Sequence, residues 1–181
     1  MNNHFILHYT INMRCFAIQK SYPYAADFTG ISDNYLYCED TIQTNSEVQT
    51  IAVAQDFAKT LNAGDVVCLY GTLGMGKSVF ARAIIQTLCN DSNMDVPSPT
   101  FNLVQIYEPE NAPAPIWHFD LYRLEDADEI YETGWEEALG NAIVLIEWPE
   151  RLGPLKPRKS IDIHISVGDG NPNHRDFNIK R

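Results

Sequence analysis

The stretch Gly71-Thr72-Leu73-Gly74-Met75-Gly76-Lys77-Ser78 matches the phosphate-binding pattern G-x-x-x-x-G-K-[ST]. It follows the apolar run Val66-Val67-Cys68-Leu69-Tyr70, which predicts a buried strand, and it precedes a segment with apolar residues at helical spacing. A strand, a glycine-rich loop and a helix in this order predict a P-loop. We therefore expect the chain to bind a nucleoside triphosphate.

Each part of this loop has its own task toward a phosphate group. The three glycines allow a tight turn that aims backbone N–H groups at phosphate oxygens. Lys77 supplies an ammonium for the β- and γ-phosphates, and Ser78 supplies a hydroxyl for Mg²⁺. The residues of this segment expected to contact the nucleotide are Gly71, Thr72, Leu73, Gly74, Met75, Gly76, Lys77, Ser78 and Val79.

The composition is that of a soluble globular protein. The chain has 181 residues, of which 45% are hydrophobic, enough for one domain with a substantial core. Its formal net charge of -11 argues against broad binding to a phosphate backbone, so any role with nucleic acid is expected to be indirect. Four scattered cysteines without a C-x-x-C pair favour a reduced, cytoplasmic setting, and no segment predicts a membrane span.

The chain divides into two parts by pattern. Residues 1–40 show no sustained period and carry several turn formers, which predicts an irregular N-terminal extension. Residues 41–181 are expected to form a P-loop ATPase domain of the α/β class, in which helices flank a central, mostly parallel sheet. The strands of this layered domain are predicted at residues 66–70, 101–107, 116–119, 143–146 and 161–167.

Two carboxylates follow predicted strands of this sheet. Glu147 comes directly after the apolar run 143–146 and is expected to be a Mg²⁺ ligand. Asp120 follows residues 116–119 in the same way and could hold a Mg²⁺-bound water or orient the attacking water. Either group could instead cap a helix or form a surface ion pair. His118 is expected to be a hydrogen-bonded structural histidine.

The segment Ser98-Pro99-Thr100-Phe101 predicts a switch-like loop. Pro99 restricts the backbone, while Thr100 keeps a hydroxyl that can meet Mg²⁺ or a γ-phosphate oxygen. The alternative is an ordinary turn leading into a strand. Trp148, directly after Glu147, could pack over the nucleotide or its loop, or belong to the core.

Four blocks of sequence, taken in order, resemble the TsaE family. They are the phosphate loop at 71–78, Val96-Pro97-Ser98-Pro99-Thr100-Phe101, His118-Phe119-Asp120-Leu121-Tyr122-Arg123 and Ile146-Glu147-Trp148-Pro149-Glu150-Arg151. That family is the ATPase component of the bacterial machinery that makes threonylcarbamoyladenosine in tRNAs. The resemblance implies a P-loop ATPase that works with the TsaD and TsaB proteins and meets tRNA only through their complex.

The same resemblance implies a role for each matching residue. Lys77, Thr100 and Asp120 are the expected catalytic residues, and Ser78 and Glu147 are the expected Mg²⁺ ligands, with Trp148 near the nucleotide. Three positions of the loop depart from the usual pattern of the family: Thr72 replaces an acidic residue, Met75 a small residue, and Ser78 a threonine.

Two other functions are compatible with a phosphate loop. A small P-loop kinase would transfer the γ-phosphate to an acceptor, but the chain has no arginine-rich lid segment. A nucleotide-sensing subunit would bind ATP to stabilise one conformation, with hydrolysis incidental. A GTPase is disfavoured because the N-K-x-D motif that reads guanine is absent from the sequence.

Overall fold

The computed structural model describes residues 10–15, 38–110, 112–168, 171 and 173–181. Strands and helices alternate through most of this part of the chain. The strands are β1 (Thr10–Cys15), β2 (Cys38–Thr44), β3 (Val66–Tyr70), β4 (Val104–Tyr107), β5 (Ile116–Asp120), β6 (Ile143–Glu147), β7 (Ile161–Val167) and β8 (Arg175–Lys180). The helices are α1 (Glu47–Ala58), α2 (Lys77–Leu88) and α3 (Trp135–Asn141), with 3₁₀ segments at Ala127–Thr133 and Pro149–Leu155.

The strands form one mixed sheet in the order β1-β2-β8-β7-β3-β6-β5-β4. Its four central strands, β7, β3, β6 and β5, are parallel, whereas the strands outside them pair antiparallel. The predicted α/β class with a parallel centre is confirmed. Because β3, β5 and β6 run in the same direction, the residues that follow them meet at one edge of the sheet.

Both faces of the central sheet are covered, as a parallel sheet requires. Helices α1 and α2 pack on one face, where Phe57, Phe80 and Phe177 form tilted aromatic contacts. The 3₁₀ segments and α3 cover the other face, around Phe119 and Trp135. Every residue of β5 and β6 is buried, so the ends of these two strands are held rigidly.

The start of the described chain differs from the prediction. Within residues 1–40, expected to be irregular, Thr10–Cys15 is a strand, and the strand Cys38–Thr44 crosses the predicted boundary at residue 40. The sequence did not reveal β2 because its backbone pairs with β8, which lies far away in the chain. The other residues of 1–40 lie outside the described part, and the division into an extension and a domain stays a prediction.

A second difference concerns the segment before β4. The prediction placed a strand at residues 101–107, but the strand is only Val104–Tyr107. The N–H of Asn102 donates to the carbonyl of Pro99 at 3.1 Å, and Leu103 has a φ of 63°, which a strand does not accommodate. The residues around Thr100 therefore form a turn.

We expect Gly71→Ala to lower the free energy of unfolding by about 1–3 kcal/mol, or a few degrees in Tm. Gly71 has a φ of 148°, and a Cβ there would lie 2.7 Å from the carbonyl oxygen of Ile165, a backbone atom. Gly140→Ala, in α3 and with open space around it, is the matched control and should be neutral or slightly stabilising. Thermal unfolding followed by circular dichroism measures both, and equal melting temperatures would contradict the prediction.

Candidate functional site

The glycine-rich loop joins the end of β3 to the start of α2. Gly71, Gly74 and Gly76 have φ values of 148°, 80° and 101°, a region that favours glycine. Gly76 is the N-cap residue of α2 and provides no side-chain cap, so the first N–H groups of the helix are not bound by a capping side chain. A loop of this shape at a helix N-terminus is suited to bind an anion.

Lys77 is buried at the first turn of α2, with only 4% of its surface exposed. Its ammonium donates to the carbonyls of Gly71 and Thr72, at 2.6 and 3.1 Å. Burial lowers the pKa of Lys77, while the negative charges of Glu147, Glu150 and Asp120 act in the opposite direction. The cation is thus held inside the loop by acceptors that phosphate oxygens can replace.

Glu147, the last residue of β6, meets the helix at Ser78. The Ser78 hydroxyl donates to Oε2 of Glu147 at 2.8 Å, and Glu147 is 1% exposed. A hydroxyl and a carboxylate are hard oxygen donors, the kind that Mg²⁺ prefers. Across the described residues no group of three or more His, Cys, Asp or Glu could hold a metal ion. The pair fits Mg²⁺ that takes its other ligands from phosphate and water.

Asp120, the last residue of β5, lies opposite Glu147 in the parallel register. Its Oδ2 accepts hydrogen bonds from the hydroxyls of Ser98 and Thr100, both at 2.5 Å. Its Oδ1 accepts from the backbone N–H of Tyr122 at 3.1 Å. The carboxylate therefore ties the turn around Thr100 to the end of β5, and the structure brings the two predicted residues together.

Trp148 follows Glu147 in a left-handed conformation, with φ 61° and ψ 47°. This conformation turns the indole toward the phosphate loop, where the Lys77 ammonium lies 3.7 Å from the ring centroid. The ring also contacts Tyr122, with centroids 5.0 Å apart. Trp148 therefore packs against the loop, as one of the predicted alternatives had it.

These groups line a cleft of about 430 Å³. The lining includes loop residues 73–79 together with Ser98, Thr100, Asp120, Tyr122, Glu147 and Trp148. Gly71 and Thr72, which were also predicted to bind the nucleotide, are not part of this lining and instead accept the hydrogen bonds of Lys77. Met75 reaches the protein core with its side chain, and its carbonyl accepts from Nε of Arg175 at 3.0 Å.

A second groove, of about 320 Å³, lies along the same loop. Gly74, Met75, Gly76 and Val79 line both cavities, so the loop separates the cleft from this groove. The rest of the groove is formed by the N-terminal end of α1 and by residues at and just before the start of β8, namely Asn45, Ser46, Glu47, Thr50, Asn173 and Arg175.

Ser98 and Tyr122 were not named as residues of the site, whereas His118, predicted to be a hydrogen-bonded structural histidine, does form such a bond. Ser98 and Tyr122 bind Asp120, and His118 lies 3.0 Å from Glu147. Ser98 and Tyr122 stand inside the sequence blocks that carried the resemblance, which was the available signal. Their contacts depend on a turn and on a backbone N–H, neither of which a residue type reveals.

The loop between β3 and α2, with Ser78 and Glu147 in contact beside it, defines a P-loop nucleotide-binding protein of the α/β class. The crystal structure of YdiB from a Bacillus has a similar fold, with a TM-score of 0.62 over 81% of this chain and 88% of that one, at 22% sequence identity. The family model described as threonylcarbamoyl adenosine biosynthesis protein TsaE matches residues 44–176, and the chain belongs to this family.

Curated relatives agree with this assignment. The tRNA threonylcarbamoyladenosine biosynthesis protein TsaE of Rickettsia typhi is 43% identical over 127 residues, covering 70% of this chain and 86% of that protein. The protein of the same description from Aquifex aeolicus is 36% identical over 126 residues, with the same coverage. In the part of the chain that the structure describes, no helix is long and apolar enough to cross a membrane.

Proposed function

We propose that this protein binds and hydrolyses ATP for the machinery that makes threonylcarbamoyladenosine in tRNA, acting with TsaD and TsaB in the cytoplasm. The observation that carries the proposal is the 2.8 Å contact between Ser78 and Glu147 at the end of the phosphate loop, directly beside Asp120. Family membership supports the pathway, and the convergence of these side chains in one cleft supports hydrolysis.

The chemistry begins with charge neutralisation. The N–H groups of the loop and the first turn of α2 bind the phosphates, and Lys77 exchanges its carbonyl partners for phosphate oxygens. Ser78 and Glu147 would hold Mg²⁺, which when bound offsets negative charge on the β- and γ-phosphates. Electrostatic stabilisation of this kind is the main contribution that a protein makes to phosphoryl transfer.

The proposed role of Asp120 is to orient the water that attacks the γ-phosphate. It is 4% exposed, lines the cleft, and stands opposite Glu147 at the ends of adjacent strands. Its carboxylate is fixed by hydroxyls of the turn around Thr100, so an attacking water that it orients also has a defined position relative to that turn. Binding of a γ-phosphate near Thr100 then couples the turn to the state of the nucleotide.

The second groove supports the orientation of the nucleotide. The same stretch of the loop lines both cavities, so a nucleotide whose γ-phosphate binds in the cleft can extend its nucleoside into the groove between the loop and the N-terminal end of α1.

The charge of the protein supports an indirect relation to tRNA. A formal net charge of -11 repels a nucleic acid backbone, so contact with tRNA is left to the partner proteins. ATP hydrolysis by this chain would support turnover of the complex, while TsaD would carry out the transfer to the tRNA.

A nucleotide-sensing role is the second candidate. Lys77 is bound by loop carbonyls and covered by the Trp148 ring, so phosphate binding requires local rearrangement of the loop. Such a rearrangement could report the bound nucleotide to a partner without hydrolysis. A kinase is disfavoured, since no arginine is among the described residues that line the cleft. Arg123 instead stacks on Phe101, with its guanidinium carbon 4.2 Å from the ring centroid.

Phosphate release from ATP separates these functions. We expect slow release by the purified chain and a rate at least about tenfold higher with TsaD, TsaB and substrate tRNA, because the partners would stabilise the rearranged loop that phosphate binding requires. Glu147→Ala should remove the stimulation. ATP binding without release under any condition would favour the sensing role, and a phosphorylated acceptor in place of free phosphate would favour a kinase.

A further inference from the structure

His118 lies next to the site without a role in the function proposed above. The side chain is 1% exposed, and its Nε2 is 3.0 Å from Oε1 of Glu147. An ionised carboxylate only accepts hydrogen bonds, so Nε2 of His118 carries the hydrogen and donates it. The contact is therefore a directed hydrogen bond between two buried side chains.

The strand register explains why the ring reaches this carboxylate. His118 and Asp120 are alternate residues of β5 and share one face of the sheet. On the neighbouring strand β6, Leu145 lies opposite His118, and Glu147 lies opposite Asp120. The imidazole thus reaches past its own register partner, Leu145, to Glu147, and so connects β5 to the end of β6.

Glu147 is consequently held from two directions. Ser78 binds Oε2 from helix α2, and His118 binds Oε1 from the sheet. One hydrogen bond alone would leave the carboxylate free to rotate about its terminal torsion, which is broad for glutamate. The two together fix the plane of the carboxylate and thereby the direction of its lone pairs.

Packing alone does not account for a histidine here. Its Nδ1 is buried and has no hydrogen-bond partner among the residues that the structure describes. Burying an unpaired polar atom is unfavourable, whereas an apolar side chain of similar size would fill the same space without that cost. The hydrogen bond from Nε2 to Glu147 offsets the cost of burying the unpaired Nδ1.

We infer that His118 is a positioning residue: it fixes the carboxylate plane of Glu147 and so sets how strongly Mg²⁺ enhances nucleotide binding. The inference rests on the proposed function, in which Glu147 serves Mg²⁺. Loss of the partner that orients a metal-binding group typically lowers metal affinity by about 10- to 100-fold.

The test compares two amides of different reach in the full-length chain. Glutamine places its amide nitrogen near the position of Nε2, whereas asparagine reaches only about as far as Nδ1. Calorimetric titration with a non-hydrolysable ATP analogue, in excess Mg²⁺ and in a chelator, gives the gain in affinity due to Mg²⁺. We expect His118→Asn to reduce that gain by about tenfold or more and His118→Gln to retain it within about threefold.

Affinities in the chelator should be equal for all three proteins, which shows that the loop is folded. A double-mutant cycle with Glu147→Gln completes the experiment, because His118→Asn should cause no further loss in that background. If Mg²⁺ does not change the affinity of the wild-type protein for the ATP analogue, the metal role in the proposed function is refuted. If Mg²⁺ does increase the affinity of the wild type, three outcomes would refute the positioning role. His118→Asn could keep the full gain in affinity due to Mg²⁺, or His118→Gln could lose as much of that gain as His118→Asn does. His118→Asn could also bind the analogue more weakly than the wild type in the chelator.

Discussion

We expect Asp120→Ala to lower the rate of ATP hydrolysis by about 10³-fold and to leave ATP affinity within about threefold, because the proposed orientation of the attacking water is lost while the phosphate loop stays intact. The carboxylate contacts Ser98, Thr100 and the N–H of Tyr122, but none of the loop residues that hold the phosphates. Single-turnover phosphate release measures the first quantity, and calorimetric titration of ATP measures the second.

Glu125→Ala is the matched control for Asp120→Ala. Glu125 is an exposed carboxylate a few residues further along the same connection, and its removal should leave both quantities unchanged. Asp120→Asn keeps the size of the side chain but removes the carboxylate, so it separates the effect of the lost charge from the effect of lost packing. Normal tRNA modification by Asp120→Ala, in a system reconstituted with TsaD and TsaB, would contradict the hydrolytic role and favour nucleotide sensing.

We expect Lys77→Ala to weaken ATP binding by about 10² to 10³-fold, since removing a buried charged partner costs about 3–4 kcal/mol. The ammonium is the cation within the phosphate loop and lies beside the Trp148 ring. Calorimetric titration with ATP measures the loss. Lys59→Ala is the control, because Lys59 is exposed and pairs with Asp56 at the end of α1, away from the loop.

The Lys77 substitution should not unfold the protein. Burial lowers the pKa of Lys77, which means that the folded chain disfavours its charge, so loss of the charge alone is not expected to unfold the nucleotide-free protein. Because alanine also loses two hydrogen bonds and the contact with Trp148, we expect a folded protein whose melting temperature is lower by a few degrees. Unchanged ATP affinity in a folded Lys77→Ala protein would contradict the assignment of the loop as the phosphate site.

The sequence predicted the parts of the site that depend on residues close together in the chain. The phosphate loop is contiguous, and Asp120 and Glu147 directly follow apolar strands, so their position at the sheet edge follows from the direction of parallel strands. The hydrogen bond between His118 and Glu147 depends on the register between β5 and β6, which no local pattern specifies. β2 was not predicted for a similar reason, because its pairing depends on β8, which is distant in the chain.

The turn around Thr100 shows how sequence and structure complement each other. Its hydroxyl was predicted to act at the site, whereas the segment itself was predicted to lead straight into a strand. The positive φ of Leu103 ends that extension, so β4 begins only at Val104. Phe101 is consequently 80% exposed and carries the guanidinium of Arg123 on its ring.

The place of β8 in the sheet has a consequence for synthesis of the protein on the ribosome. β8 lies between β2 and β7, and among the residues that it pairs are Gln43 and Asp176, which are separated by 133 positions. Because translation proceeds from the N-terminus, β2 is made early but cannot join the sheet until β8 has emerged. β2 therefore cannot pair with β8, and the eight-stranded sheet cannot be completed, until translation has passed residue 180.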